Sequence, residues 1–245
     1  MIKHVPTADA KAIVFDIDGV LINSAQSILM QAEYWLLQIR NRGMNGDDLA
    51  RARRIFSKTG DPHASLREVL QCDDDEWTEN ESRYIKVHKD GFRLFKSEMT
   101  MYPGAVQLVV DLLATKKVAA FTTRERSFFT SAVCPELIPP PKAGQSEYPH
   151  GHFHITITAD DVSRLKPHPE GLYKIANEFK VKPHEMIMVG DSPTDIIAAK
   201  NAGAVAVAMA HPDSFASRSL LKDAKPDYMI STFDELRQLI LPNRT

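Results

Sequence analysis

From Lys11 the chain runs through three contiguous apolar residues, Ile13, Val14 and Phe15, and stops against Asp16-Ile17-Asp18. An unbroken apolar run of that length predicts a strand covered on both faces, as in parallel sheets. Four similar runs follow at Val118 to Thr122, Ile155 to Thr158, Met186 to Val189 and Val205 to Met209, with helical stretches between most of them. Strand and helix alternating in this way predict an α/β fold, a parallel sheet core flanked by helices, whose ligands sit beyond the carboxyl ends of the strands.

Between Ser24 and about Tyr102 the period changes. Ile28, Leu29, Ala32, Trp35, Leu36 and Ile39 recur at steps of three and four, one stripe of an amphipathic helix. Asp47 to Ser57, Ala64 to Gln71 and Asp75 to Lys96 also read as helices, and no strand pattern stands out. The expected organisation is a core of residues 1–22 and 103–245 with a helical module, 23–102, inserted after the first strand and hinged at its two crossings. Residues 134–152 carry five prolines and two glycines, which predicts an irregular surface loop. His150, His152 and His154 alternate, but no carboxylate or cysteine accompanies them, so they do not read as a metal site. Arg51 to Arg54 read as a solvated helix face.

Composition narrows the class. The 245 residues are 43% hydrophobic and 25% charged, with a formal net charge of −2. Such a chain builds a packed core, which excludes disordered and fibrous classes, and it has no global attraction to nucleic acid or to anionic membranes. No apolar run approaches the roughly 18 residues that span a bilayer, so a soluble, cytoplasmic protein is expected. Cys72 and Cys134 offer neither a disulfide framework nor a zinc spacing.

The chemistry gathers at strand ends. Asp16 and Asp18 follow the first strand, Thr122 and Thr123 the second, Lys166 a later loop, and Asp191, Ser192 and Asp195 the run MIMVG. In a parallel sheet those ends share one edge. Four carboxylates there cannot all stay ionised without compensation. Lys166 brings one positive charge, and a hard divalent cation with oxygen ligands, Mg2+, would bring two more and accept a substrate phosphate.

DIDGV, a hydroxyl residue after a second strand, Lys166-Pro167 and GDSPTD, in that order, resemble the haloacid dehalogenase superfamily. The inserted helices look like the cap of its branch containing phosphoglycolate phosphatase and β-phosphoglucomutase. The resemblance implies a Rossmann-like core with an α-helical cap. It further implies Asp16 as nucleophile, forming an aspartyl-phosphate, and Asp18 as general acid and then base. Gly19, Thr122, Thr123 and Lys166 would hold the phosphoryl group. Asp191, Asp16 and the main-chain carbonyl of Asp18 would hold Mg2+, with Asp195 either on the metal or holding Lys166. Asn23 and Leu165 depart from the branch's frequent acidic residue and glycine.

The implied activity is Mg2+-dependent hydrolysis of a small phosphorylated metabolite. The alternatives are a sugar phosphomutase of the same fold, a 2-haloacid dehalogenase and a non-catalytic binding protein. Gly60, Asp61 and Pro62 break the helical pattern, and the adjacent Lys58, His63 and Arg67 are the expected substrate-selecting residues of the cap.

Overall fold

The computed structural model describes residues 7–58, 61–128 and 153–241. β1 (Ala12–Phe15) is buried at all positions and lies at the centre of a six-stranded sheet. Four further stretches form β4 (Lys117–Phe121), β5 (Ile155–Ile157), β6 (Met186–Gly190) and β7 (Val205–Met209), each on one of the expected apolar runs. β8 (Tyr228–Ile230) completes the sheet in the order β5-β4-β1-β6-β7-β8, with every pairing parallel.

Parallel pairing puts alternate side chains on opposite faces, and both faces are filled. Ile13, Phe15, Val118 and Ala120 join one apolar cluster with α5 (Ala105–Leu113). Ala12, Val14, Ala119 and Phe121 join the other, with α6 (Glu170–Phe179) and α7 (Pro193–Ala202). This two-sided burial explains why these strands read as contiguous rather than alternating runs. After α8 (Arg218–Asp223), α9 (Phe233–Ile240) returns to the first face through Phe233, Leu236 and Ile240.

The inserted block comprises α1 (Ala25–Arg40), α2 (Gly46–Phe56), α3 (Pro62–Leu70) and α4 (Asp74–Phe95). They close on a core of their own around Trp35, Leu36, Ile55, Leu66 and Tyr84. Asn45 and Asp48 form a capping box that starts α2, and Asp61 caps α3 by accepting from the His63 and Ala64 amides. Arg51 pairs with Asp48, while Arg53 and Arg54 are exposed.

The expectation that this stretch holds no strand is corrected at its edge. β2 (Ile22–Asn23) and β3 (Thr100–Met101) pair antiparallel where the chain enters and leaves the block. Two residues are too few to show a period. Among the described residues no helix is long and apolar enough to cross a membrane. The proline-rich stretch 134–152 lies outside the described residues, as do His150 and His152. His154 accepts the Val118 amide at Nδ1, 3.1 Å away, a structural bond to β4.

Candidate active site

The Asp16 amide extends the β1 ladder to Val189 O at 2.9 Å, so its side chain emerges where the sheet ends. One carboxylate oxygen accepts the Ile17 amide at 2.7 Å, and the other lies 2.9 Å from Lys166 Nζ. Lys166 is in turn 2.7 Å from Asp195 Oδ1 and 3.0 Å from Phe121 O. The ammonium is thus hydrogen-bonded to a main-chain carbonyl and ion-paired with two carboxylates. Burial opposes the charge on Lys166, but Asp16 and Asp195 outweigh it and hold the ammonium's pKa above its ordinary value.

The carboxylates outnumber the cation. Burial, then the neighbouring Asp195, pushes Asp16 up to about 7 despite Lys166. Asp191 is raised well above the ordinary carboxylate range, again by burial first and then by Asp195 and Asp16. Asp16, Asp191 and Asp195 each present a carboxylate oxygen within 4.8 Å of the others. Oxygen donors, excess negative charge and raised pKa values fit a hard divalent cation. The three do not contribute equally. Asp195 Oδ2 accepts from the Ser192 amide and hydroxyl in the capping box of α7, and its Oδ1 faces Lys166. Asp16 and Asp191 are therefore the better-placed pair.

Gly19 closes the turn after β1 with φ +72°, and a Cβ there would meet Asp191 Oδ2 at 1.9 Å. Only glycine satisfies both the backbone and the approach. Asp18 turns the other way. Its two oxygens accept Arg124 Nε at 3.0 Å and Nη2 at 3.2 Å. Thr122 is buried, and its hydroxyl accepts the Arg124 amide at 3.2 Å; Thr123 is in the wall of the cavity.

That cavity lies between the sheet edge and the helical block. Asp16, Asp18, Gly19, Arg124, Lys166 and Asp191 face Ile28, Gln31, Trp35, Ser65 and His88 from α1, α3 and α4. Burial first, with Arg124 and His63 adding to it, lowers His88 to about 3, so it stands neutral. The expected cap residues are placed differently. Arg67 pairs with Asp74, stacks over Trp77 at 5.3 Å and lines a separate surface depression. Lys58 is exposed and outside the wall. The His63 ring lies 6.2 Å from that of His88, one layer behind the wall. On the block's side the cavity is thus built from Gln31, Ser65 and His88 in place of Lys58, His63 and Arg67. The reason is rotational: the α3 face carrying Arg67 looks outward, and the one carrying Ser65 looks in.

A family model described as haloacid dehalogenase-like hydrolase matches residues 10–203, most of the chain. The chain belongs to the haloacid dehalogenase-like hydrolase family. It is 38% identical over 233 residues to the pyrophosphatase PpaX of Bacillus mycoides, spanning 93% of this chain and 95% of that protein. It is 25% identical over 241 residues to the phosphoglycolate phosphatase of Salmonella typhimurium, 92% and 90% respectively. Among solved structures, a haloacid dehalogenase superfamily hydrolase of subfamily IA from Geobacter sulfurreducens superposes with a TM-score of 0.66 at 22% identity. It covers 95% of this chain and 97% of its own. A hydrolase from Pseudomonas syringae gives 0.71 at 19%, covering 94% and 99%.

For this haloacid dehalogenase-like hydrolase, sequence reasoning missed Arg124, although the residue stands two positions past Thr122. A basic side chain that close to a strand-end hydroxyl was a usable signal. Gln31, Ser65 and His88 gave none, because each is an ordinary helix residue until the block is docked. Asn23, where the branch often has an acid, donates to Asp213 at 3.3 Å, so a neighbouring segment supplies a carboxylate there.

Proposed function

We propose that this hydrolase is a Mg2+-dependent phosphatase that removes phosphate from a small phosphorylated metabolite by double displacement through phospho-Asp16. The observation that carries the reading is that Lys166 pairs with Asp16 and Asp195 and not with Asp191. With Lys166 ion-paired to Asp16 and Asp195 and hydrogen-bonded to Phe121 O, Asp191 is left without a cation of its own in a buried site. Asp16, Asp191 and the main-chain carbonyl of Asp18 would hold Mg2+, while Asp195 orients Lys166. When bound, the cation neutralises the carboxylates and polarises the phosphoryl oxygens.

The chain's own residues do the rest. Lys166 fixes the Asp16 oxygen that attacks phosphorus. Asp18, two residues further on, protonates the leaving oxygen and afterwards activates water. Gly19, Thr122 and Thr123 hold the phosphoryl oxygens, and the 23–102 block acts as a cap that covers the site and selects the substrate. The names of the relatives, a pyrophosphatase and a phosphoglycolate phosphatase, support a small phosphate compound as substrate, and an intracellular setting is part of the same proposal. Neither nucleic acid nor a membrane is called for.

The test is turnover of p-nitrophenyl phosphate. EDTA should abolish it and Mg2+ restore it, and Asp16→Asn should lower kcat by about 10³-fold or more in a folded protein. Activity retained in folded Asp16→Asn excludes the covalent route. Full activity in EDTA overturns the Mg2+ requirement, and halide release from a 2-haloacid without ester turnover would make the protein a dehalogenase. An isomeric ester formed from a sugar phosphate in place of inorganic phosphate would make the protein a mutase.

A further inference from the structure

Among the described residues lining the cavity, the cationic side chains are Lys166 and Arg124. The charge of Lys166 is already shared between two buried carboxylates, Asp16 and Asp195. Arg124 has five donors in a rigid fork, and one edge of that fork, Nε and Nη2, is spent on Asp18. Its Nη1 edge has no partner among the described residues. The guanidinium lies 4.3 Å over the Phe128 ring, which itself packs at 4.3 Å on Phe92 of α4. Stacking of this kind fixes the plane of the fork and leaves its edges to choose partners. Arg124 also stands in the wall between this cavity and a second one lined by Lys89, Phe92 and Arg93, at the seam between sheet and helical block.

The Asp18 side of the contact is in conflict with Asp18's task. With both of its oxygens accepting from the guanidinium, the carboxyl group is held on Arg124 and not free to turn toward a leaving oxygen. Something has to take its place on Arg124 before it can turn. A second anion on the substrate is suited to do so, because carboxylate and phosphate both match the fork bidentately. A neutral substrate tail would leave the Asp18–Arg124 pair intact.

We propose that Arg124 is a specificity-determining residue of this site: it binds a second anionic group of the substrate, two or three bonds from the leaving oxygen, and by exchanging partners releases Asp18. The short spacing follows from geometry. Asp18 must reach the leaving oxygen, and the fork is within one hydrogen bond of Asp18, so the anion that replaces it sits within a carboxyl group's length of the reacting bond. The inference rests on the phosphatase reading of Asp16 and Asp18, and it adds what that reading lacks, a reason for one class of phosphate compound to be chosen over another.

The experiment compares two esters of equal length, 2-phosphoglycolate and 2-hydroxyethyl phosphate, which differ in whether the tail is a carboxylate or a hydroxymethyl group. The wild-type enzyme with Mg2+ should prefer the carboxylate by about 10²-fold in kcat/KM, expressed in both KM and kcat, since a site built to pair a charged group rejects the analogue lacking it. Arg124→Met keeps the packing on Phe128 and should bring the ratio of the two kcat/KM values close to one. Arg124→Lys, with the charge but not the fork, should give an intermediate ratio. A wild-type ratio near one overturns the proposal, whatever the variants do. So does an unchanged ratio in Arg124→Met with both esters slowed alike, which is what a purely structural role would give. Calorimetric titration of Asp16→Asn protein, loaded with Mg2+, by the same two esters separates this inference from the reading beneath it. If the wild type turns over neither these esters nor p-nitrophenyl phosphate, the phosphatase reading fails. Equal binding of the two esters in the titration overturns the Arg124 assignment, and preferential binding of 2-phosphoglycolate upholds it.

Discussion

Gly19 and Asp191 compete for one volume: a Cβ on residue 19 would lie 1.9 Å from Asp191 Oδ2, at a backbone φ of +72°. Gly19→Ala therefore meets both a conformational and a steric penalty. The left-handed backbone alone costs about 1–2 kcal/mol for a residue with a Cβ. The clash adds a displacement of Asp191 from the place where it faces Asp16. We expect kcat/KM to fall by about 10²-fold or more and the Mg2+ concentration for half-maximal activity to rise, read from metal titrations at fixed substrate.

Arg67 supplies the opposite case. Its ion pair with Asp74 is largely exposed, and it lines no part of the cavity. Arg67→Ala should leave kcat/KM for any substrate within about twofold and lower stability by no more than about 1 kcal/mol, in line with exposed pairs. A selective rise in KM for one substrate would restore Arg67 to the cap's recognition surface.

Lys166→Met would leave Asp16, Asp191 and Asp195 together with no cation. Breaking a buried pair by removing one partner costs about 3–5 kcal/mol, which for a chain of this size lowers Tm by roughly 10 °C. Because the injury is uncompensated negative charge, Mg2+ should recover more of the lost Tm in the variant than it adds to the wild type. Thermal unfolding in EDTA and in Mg2+ gives all four values. Equal gains would show that Lys166 does not share the metal's electrostatic role.

The raised carboxylates also set a pH dependence. Asp16 has a folded pKa of about 7 against an ordinary 3.8, so the folded state binds the extra proton between those values. Its contribution to stability is present below 3.8 and is lost as pH rises toward 7. Asp191 acts in the same direction. His88, lowered from 6.5 to about 3, acts in the other, since the unfolded chain gains a proton as pH falls through 6.5. Single curves therefore mix opposing groups, but Mg2+ acts on the carboxylates alone. The stabilisation by Mg2+, taken as the difference between urea midpoints with metal and with EDTA, should grow as pH rises toward 7. Metal binding near neutral pH should release protons, seen calorimetrically as a dependence on buffer ionisation enthalpy. A difference flat in pH would mean that the carboxylates are already ionised without metal.

The parts of the molecule legible in its sequence are those whose signal is local. β1, β4, β6 and β7 were readable because burial on both faces leaves contiguous apolar runs, and Asp16, Lys166 and Asp191 because each follows such a run or its loop. β8 was not read: Tyr228 is exposed and only Ile230 is buried, so an edge strand of three residues shows no run. The inward face of the helical block was illegible for another reason. Arg67 and Ser65 are two residues apart on α3, and which of them faces the sheet is decided by docking between parts distant in sequence. Arg124 fell between these cases: it stands close to a strand-end hydroxyl, but its pairing with Asp18 spans 106 positions and cannot be read from that neighbourhood.

The ribbon of β2 and β3 pairs Asn23 with Thr100 and Ile22 with Met101, and the Tyr102 amide closes it on Leu21 O at 2.9 Å. To the sheet, everything between those residues is the loop of a single hairpin. Closing a loop becomes more costly only with the logarithm of its length, each doubling adding about 0.6 kcal/mol. The core is therefore nearly indifferent to how many residues hang from the ribbon or how they fold. An exchange of the insert for a shorter or longer one, spliced at the same paired residues, would leave Asp16, Lys166 and Asp191 where they are and hand the same chemistry to a different clientele.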